Sequence, residues 1–221
     1  MRIVFLHTVM GVTEMFADLI RRHLPPATEV LHIVDETMIA AVRAAVGPTR
    51  EVAQRLREHA LAAAASGAGA MQITCSTISP CVEEIAPLPI PVFTIDAPMA
   101  KQAVRRYGKI GVLATNAATL VPSVETIRSA ARRAKRTVRV TSRQCDAAYE
   151  AFLRGDRATH DKIVIDETTR LARGVDAIIL AQASMARLAE QLSSLPVPIL
   201  TSPVLAMKHL ARFIARAGAG R

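Results

Sequence analysis

The chain has 221 residues, 51% of them hydrophobic and 21% charged, with aromatics at 3% and no Trp. That length holds one large domain or two small lobes, and that composition builds its core from Ala, Val, Ile and Leu, as Ala-rich helices over buried parallel strands do. The formal net charge of +9 does not make the chain a nucleic-acid binder. Its Arg and Lys residues are scattered, the densest group (Arg128-Ser-Ala-Ala-Arg-Arg-Ala-Lys-Arg136) reads as the solvated end of a helix, and no aromatics are interleaved for base stacking.

The first element is a strand, Arg2-Ile-Val-Phe-Leu6, with no charged leader and long apolar segment of a signal peptide, and charges interrupt every apolar stretch before it reaches membrane-spanning length. The sequence therefore predicts a soluble cytoplasmic protein with neither membrane nor nucleic acid as partner, whose positive field favours anionic small substrates. Apolar runs then alternate with amphipathic stretches, the pattern of strands and crossover helices. Strands are predicted near 2–7, 28–34, 70–74 and 91–95, and again near 109–115, 137–143, 176–181 and 197–201. Helices are predicted near 12–23, 49–66, 79–86, 97–107, 118–135, 146–154, 157–173, 186–193 and 203–217. Gly67, Gly108 and Gly174 fall where helices should end.

The second set of strands repeats the first. Leu88-Pro-Ile-Pro-Val-Phe-Thr94 returns as Leu195-Pro-Val-Pro-Ile-Leu-Thr201, an offset of 107 residues. The same offset carries Ile3 to Ile110, Thr8 to Thr115, Cys75 to Gln182 and Glu83 to Glu190, with no gap. Helices rich in Ala match themselves by chance, but strand ends and a Leu-Pro-x-Pro turn do not.

The expected fold is α/β, with two duplicated Rossmann-like lobes whose parallel sheets are related by a pseudo-two-fold axis. The lobes are expected at 1–96 plus 205–221 and at 97–204. Ligands of open parallel sheets sit beyond the carboxyl ends of the strands, so the site is expected in the interlobe cleft. His7, Thr8, Cys75, Ser76 and Thr77 would come from one lobe, and Thr115, Asn116, Gln182 and Ser184 from the other.

Cys75, Cys81 and Cys145 are odd in number and lack a Cys-x-x-Cys spacing, so neither a disulfide framework nor a zinc site follows. A free cysteine is most often a small buried hydrophobe. Cys75 stands apart because it follows a buried strand, precedes a predicted helix whose N–H groups and dipole would lower its pKa, and is flanked by hydroxyls able to hold a carboxylate. Cys81 and Cys145 read as structural. His7, at the end of the first strand, is the best candidate for a proton partner, although a pocket-lining or capped histidine is the plainer reading. His23, His32, His59, His160 and His209 read as surface or packing groups, and Asp96 reads as a helix cap or a strand-end acid. Gly67-Ala-Gly69 is followed by a strand and so is no dinucleotide fingerprint. Ser184 lies in no Gly-x-Ser-x-Gly elbow.

Cys75-Ser-Thr77 resembles the Cys-Asn-Thr motif of the aspartate/glutamate/hydantoin racemase superfamily. Ala114-Thr-Asn-Ala-Ala-Thr119 is similar to that family's threonine-bearing substrate loop, and Leu180-Ala-Gln-Ala-Ser-Met185 to its second motif, Leu-Gly-Cys-Ala-Gly-Met. The resemblance spans the whole chain. It implies a cofactor-independent, metal-free enzyme, commonly a homo-oligomer, that moves a proton at the carbon beside a carboxylate of an amino acid, hydantoin or related small acid. Cys75 would be the proton-transfer thiol, and Thr8, Ser76, Thr77, Thr115, Asn116, Thr119 and Ser184 would bind the substrate and stabilise the charge that develops on it.

The family's second cysteine is replaced here by Gln182, and an amide neither gives nor takes a proton at neutral pH. Besides a racemase or isomerase, two readings therefore stand. One is a one-cysteine decarboxylase or lyase resembling arylmalonate decarboxylase, and the other is a small-acid binding protein without catalysis.

Overall fold

The computed structural model describes residues 1–45 and 47–219. The chain divides into two compact units, Met1–Pro98 together with the chain from Pro203 onward, and Met99–Ser202.

The first unit holds strands β1 (Arg2–His7), β2 (Glu29–Val34), β3 (Ala70–Ile73) and β4 (Val92–Phe93), with helices α1 (Thr13–His23), α2 (Glu36–Ala44), α3 (Arg50–Ala65) and α4 (Cys81–Glu84). Its sheet is parallel, in the order β2-β1-β3-β4. Helix α5 (Ala97–Arg106) leads into the second unit, whose strands are β5 (Lys109–Ala114), β6 (Arg139–Gln144), β7 (Ala177–Leu180) and β8 (Ile199–Thr201). Helices α6 (Ala117–Arg133), α7 (Asp146–Leu153) and α8 (Arg157–Leu171) connect them, and α9 (Ser202–Ala219) returns the chain to the first unit. The second sheet is also parallel, in the order β6-β5-β7-β8. Both sheets are those expected for an α/β chain with a duplicated plan.

The register carries the repeat. Ile3 pairs with Ala70 and Ile110 with Ala177, while Met71 pairs with Val92 and Ile178 with Ile199, every position shifted by the 107 residues seen in the sequence. Only the edge strands depart: Arg2 pairs with Glu29 but Lys109 with Arg139, so β6 comes three residues late.

Packing follows from chemistry. The central strands β3 and β7 read Ala-Met-Gln-Ile and Ala-Ile-Ile-Leu and are buried at every residue, as strands covered on both faces must be. In the second unit Leu113, Val164, Ile178, Leu180, Met185, Leu188 and Leu192 form one apolar cluster. Helix starts are capped by side chains: Asp35 accepts from the Thr37 N–H, Thr49 from Val52, Asn116 from Thr119 and Asp156 from Thr159. Gly67 ends α3 with a left-handed φ of 80°, as expected. Gly108 and Gly174 are not left-handed; Gly155 and Lys135 hold that conformation after α7 and α6.

Two expected helices shrink and one appears. The stretch at 79–86 is a 3-10 turn at Ser76–Ile78 followed by the short α4, because Pro80 has no N–H with which to continue a helix. The stretch at 186–193 is a 3-10 helix at Ala183–Leu188, whose three-residue turn sets Met185 and Leu188 onto the same core. Helix α2 was not anticipated; Asp35 caps it and Met38 and Val42, one turn apart, bury its inner face. No helix among the described residues is long and apolar enough to cross a membrane.

Candidate active site

In the first unit, β1 and β3 lie side by side and release their chains at the same edge of the sheet. Both the N–H and the hydroxyl of Thr74 donate to the Leu6 carbonyl, at 3.0 and 3.1 Å. With its proton so used, the Thr74 hydroxyl accepts from His7 Nδ1 at 3.0 Å, which leaves His7 Nε2 to accept from His32 Nδ1 at 2.9 Å. His7 is fully buried, stacked against Phe5 and close to Phe16. Burial, reinforced by neighbouring His32, lowers its pKa to about 4. Both ring nitrogens are occupied inside the unit. His7, the candidate proton partner, is thus held at the end of β1 by Thr74 and His32.

Cys75 follows directly in extended conformation and is half-buried, with Ser79 donating to its carbonyl oxygen at 3.4 Å. Its helical neighbour is a three-residue 3-10 turn, so the long aligned dipole expected from the sequence is absent. What singles out Cys75 is access. Cys81 and Cys145 are buried, and burial pushes both thiols up to about 11, with Glu84 and Cys75 adding at Cys81 and Glu167 at Cys145. Thr8, Ser76, Thr77 and Asp96 are buried in this unit.

The second unit presents the counterpart edge of β5 and β7. The Thr115 N–H donates to Gln182 Oε1 at 2.8 Å and the Thr115 hydroxyl donates to the same oxygen at 3.1 Å. Asn116 spends its side-chain oxygen on the Thr119 N–H at 3.0 Å, so it acts first as the cap of α6. Thr115 and Thr119 are buried, Gln182 is half-buried and Ser184 is exposed on the 3-10 helix. The structure thus joins Thr115 to Gln182 and Asn116 to Thr119, and sets Ser184 outward.

One polar cluster escaped the sequence reading. Asp35, at the end of β2, accepts from the Thr37 hydroxyl at 2.5 Å, from Arg55 Nε at 2.5 Å and from His59 Nε2 at 2.7 Å. Burial alone would raise this carboxyl, but the bonds from Thr37, His59 and Arg55 and the Arg55 charge hold it well below the usual carboxylate range. The signal was present as Arg55 and His59, four residues apart on one helix face. Among the described residues, no group of three or more His, Cys, Asp and Glu side chains is placed to hold a metal ion. Two surface grooves of the second unit, of about 280 and 340 Å³, contain none of these strand-end residues in their walls.

The comparisons agree with this architecture. The chain is similar to the allantoin racemase of Klebsiella pneumoniae, at 19% identity and a TM-score of 0.71 over 98% of this chain and 88% of that one. It is similar to a glutamate racemase of Bacillus anthracis, at 21% identity and 0.70 over 98% and 82%. It is similar to the aspartate racemase of Picrophilus torridus, at 13% identity and 0.72 over 96% and 93%. Identities this low establish a shared fold and nothing finer. No curated protein matches the sequence. The family model described as Asp/Glu/Hydantoin racemase matches residues 4–210, nearly the whole chain, and the protein therefore belongs to the Asp/Glu/hydantoin racemase family.

Proposed function

We propose that the protein is a cofactor-independent enzyme that moves a proton at the carbon beside a carboxylate, or a related carbonyl, of a small acid such as an amino acid or hydantoin. Cys75 is its acid–base group. The observation that carries this reading is the sorting of the three thiols: Cys75 alone is partly exposed, at the strand end bearing the Cys-Ser-Thr motif, while Cys81 and Cys145 are sealed in the core.

The chemistry asks little else of the chain. The Cys75 thiolate takes the proton, a C–H bond breaks as an S–H bond forms, and the electron pair moves onto the carboxylate oxygens. That charge needs fixed donors. Strand-end groups such as Thr8, Ser76, Thr77, Thr115, Asn116, Thr119 and Ser184 are of the right kind to supply them. A one-cysteine decarboxylase or lyase is the second reading, favoured by the amide of Gln182 where a two-thiol racemase has its other thiol.

The test is proton exchange in ²H₂O with enantiopure aspartate, glutamate, allantoin and substituted hydantoins, followed by NMR. Loss of the carbon-bound proton from at least one compound, abolished in Cys75→Ala, is the expected result. Exchange that survives Cys75→Ala contradicts the assignment of the thiol, and no exchange from any compound favours the binding protein or a lyase.

A further inference from the structure

We propose that Gln182 is a hydrogen-bond donor to the substrate's carboxylate or carbonyl oxygen, oriented by Thr115, and that it takes no part in proton transfer itself. The inference rests on the proton-transfer reading above and deepens it.

The orientation follows from chemistry that allows no ambiguity. A backbone N–H can only donate, and of the two ends of a glutamine amide only the oxygen can accept. The Thr115 N–H lies 2.8 Å from the amide, so the atom facing it is the oxygen. The Thr115 hydroxyl fills that oxygen's second lone pair at 3.1 Å. Thr115 is almost wholly buried, so rotating the amide would strand a buried donor against another donor. The Nε2 group is thereby turned away from Thr115 with two hydrogens to give. Among the described residues no acceptor is bonded to it, and Gln182 is only half-buried.

Two N–H bonds fixed at a half-open strand end suit an oxygen that is, or becomes, negative. They cannot deliver a proton at neutral pH. With Cys75 as the single acid–base group, the proton leaves and returns on one side. The thiolate accepts it, solvent exchanges the S–H for S–D, and the deuteron returns to the carbon as the enolate electron pair collapses on the same face. The product keeps one hand. The substrate class is a carbon acid whose enolate is protonated with retention, and interconversion of mirror images is not the outcome.

The experiment uses the full chain in ²H₂O with L- and D-aspartate, L- and D-glutamate and both enantiomers of allantoin, scoring exchange by NMR and handedness by chiral chromatography. The wild type should exchange without inversion. Gln182→Leu should lower exchange kcat/KM by about 100-fold, the usual effect of losing one oxyanion donor, and Gln182→Glu by at least as much because it offers an acceptor. Thr115→Val, a positioning change, should lower kcat by about 10-fold with little change in KM, and Thr115→Ser should restore it. Cys75-dependent exchange with inversion, or with Gln182→Leu at wild-type rate, overturns this inference and leaves the proton-transfer reading intact. Absence of Cys75-dependent exchange from every compound overturns both.

Discussion

His32 Nδ1 lies 2.9 Å from His7 Nε2, so an exposed imidazole on the edge strand β2 supplies the hydrogen bond that a buried imidazole on β1 requires. The pair works while His7 is neutral. The folded His7 takes up a proton only near pH 4, against 6.5 for the ordinary group, so between those values the unfolded chain binds more protons than the folded one. Stability must therefore fall as pH drops through that window, by up to roughly 3 kcal/mol from this group. Chemical denaturation at pH 7, 6, 5 and 4 should show the decline. His7→Leu should flatten it while lowering stability at pH 7 by about 1–3 kcal/mol, since Thr74 and His32 lose a partner.

Asp35 acts in the same direction, at lower pH. Its folded pKa is depressed, so its contribution is fully present above the unfolded carboxyl value, about 3.9, and is lost as pH falls below that. Asp35→Asn should destabilise the protein by about 2 kcal/mol at pH 7 through weakened bonds from Arg55 and His59. Measured at pH 3 or below, the difference from wild type should shrink. A penalty independent of pH would assign Asp35 a packing role instead.

Much of this architecture was legible because buried parallel strands announce themselves: all eight predicted strands exist, and the 107-residue shift seen in Leu-Pro-x-Pro recurs in the pairing of Ile3 with Ala70 and Ile110 with Ala177. The hydrogen-bond partners were less legible. His7 could not be assigned both its partners, because His32 is 25 residues away and meets it only through strand pairing. Gln182 read as a missing thiol; that its oxygen is tied to Thr115, 67 residues earlier, depends on the adjacency of β5 and β7. Helix α2 was missed because its short apolar face, Met38 and Val42, gives too few turns for a clear period.

The repeat is also imperfect in its packing, which yields a stability prediction. Gly111 occupies the place of Val4 in the first unit, and a Cβ there would lie 2.9 Å from Leu171 Cδ2, 3.0 Å from its Cγ and 3.3 Å from Ile178 Cγ1. The Leu171 side chain, at the end of α8, thus fills the space that a Cβ on β5 would take. Gly111→Ala should cost about 1 kcal/mol and Gly111→Val about 2–3 kcal/mol, read as a stepwise loss of Tm. A neutral Gly111→Val would mean that the Leu171 side chain swings aside freely.

The measurement that bears most directly on the central claim is progressive alkylation of the native protein with iodoacetamide, following deuterium exchange and the modified peptides together. Cys75 should be modified first, because Cys81 and Cys145 are buried with thiols raised to about 11. Exchange should vanish in proportion to the Cys75 adduct, with Cys81 and Cys145 still unmodified. Full exchange in protein whose Cys75 is wholly alkylated, or loss of exchange that tracks Cys81 or Cys145, would contradict the account.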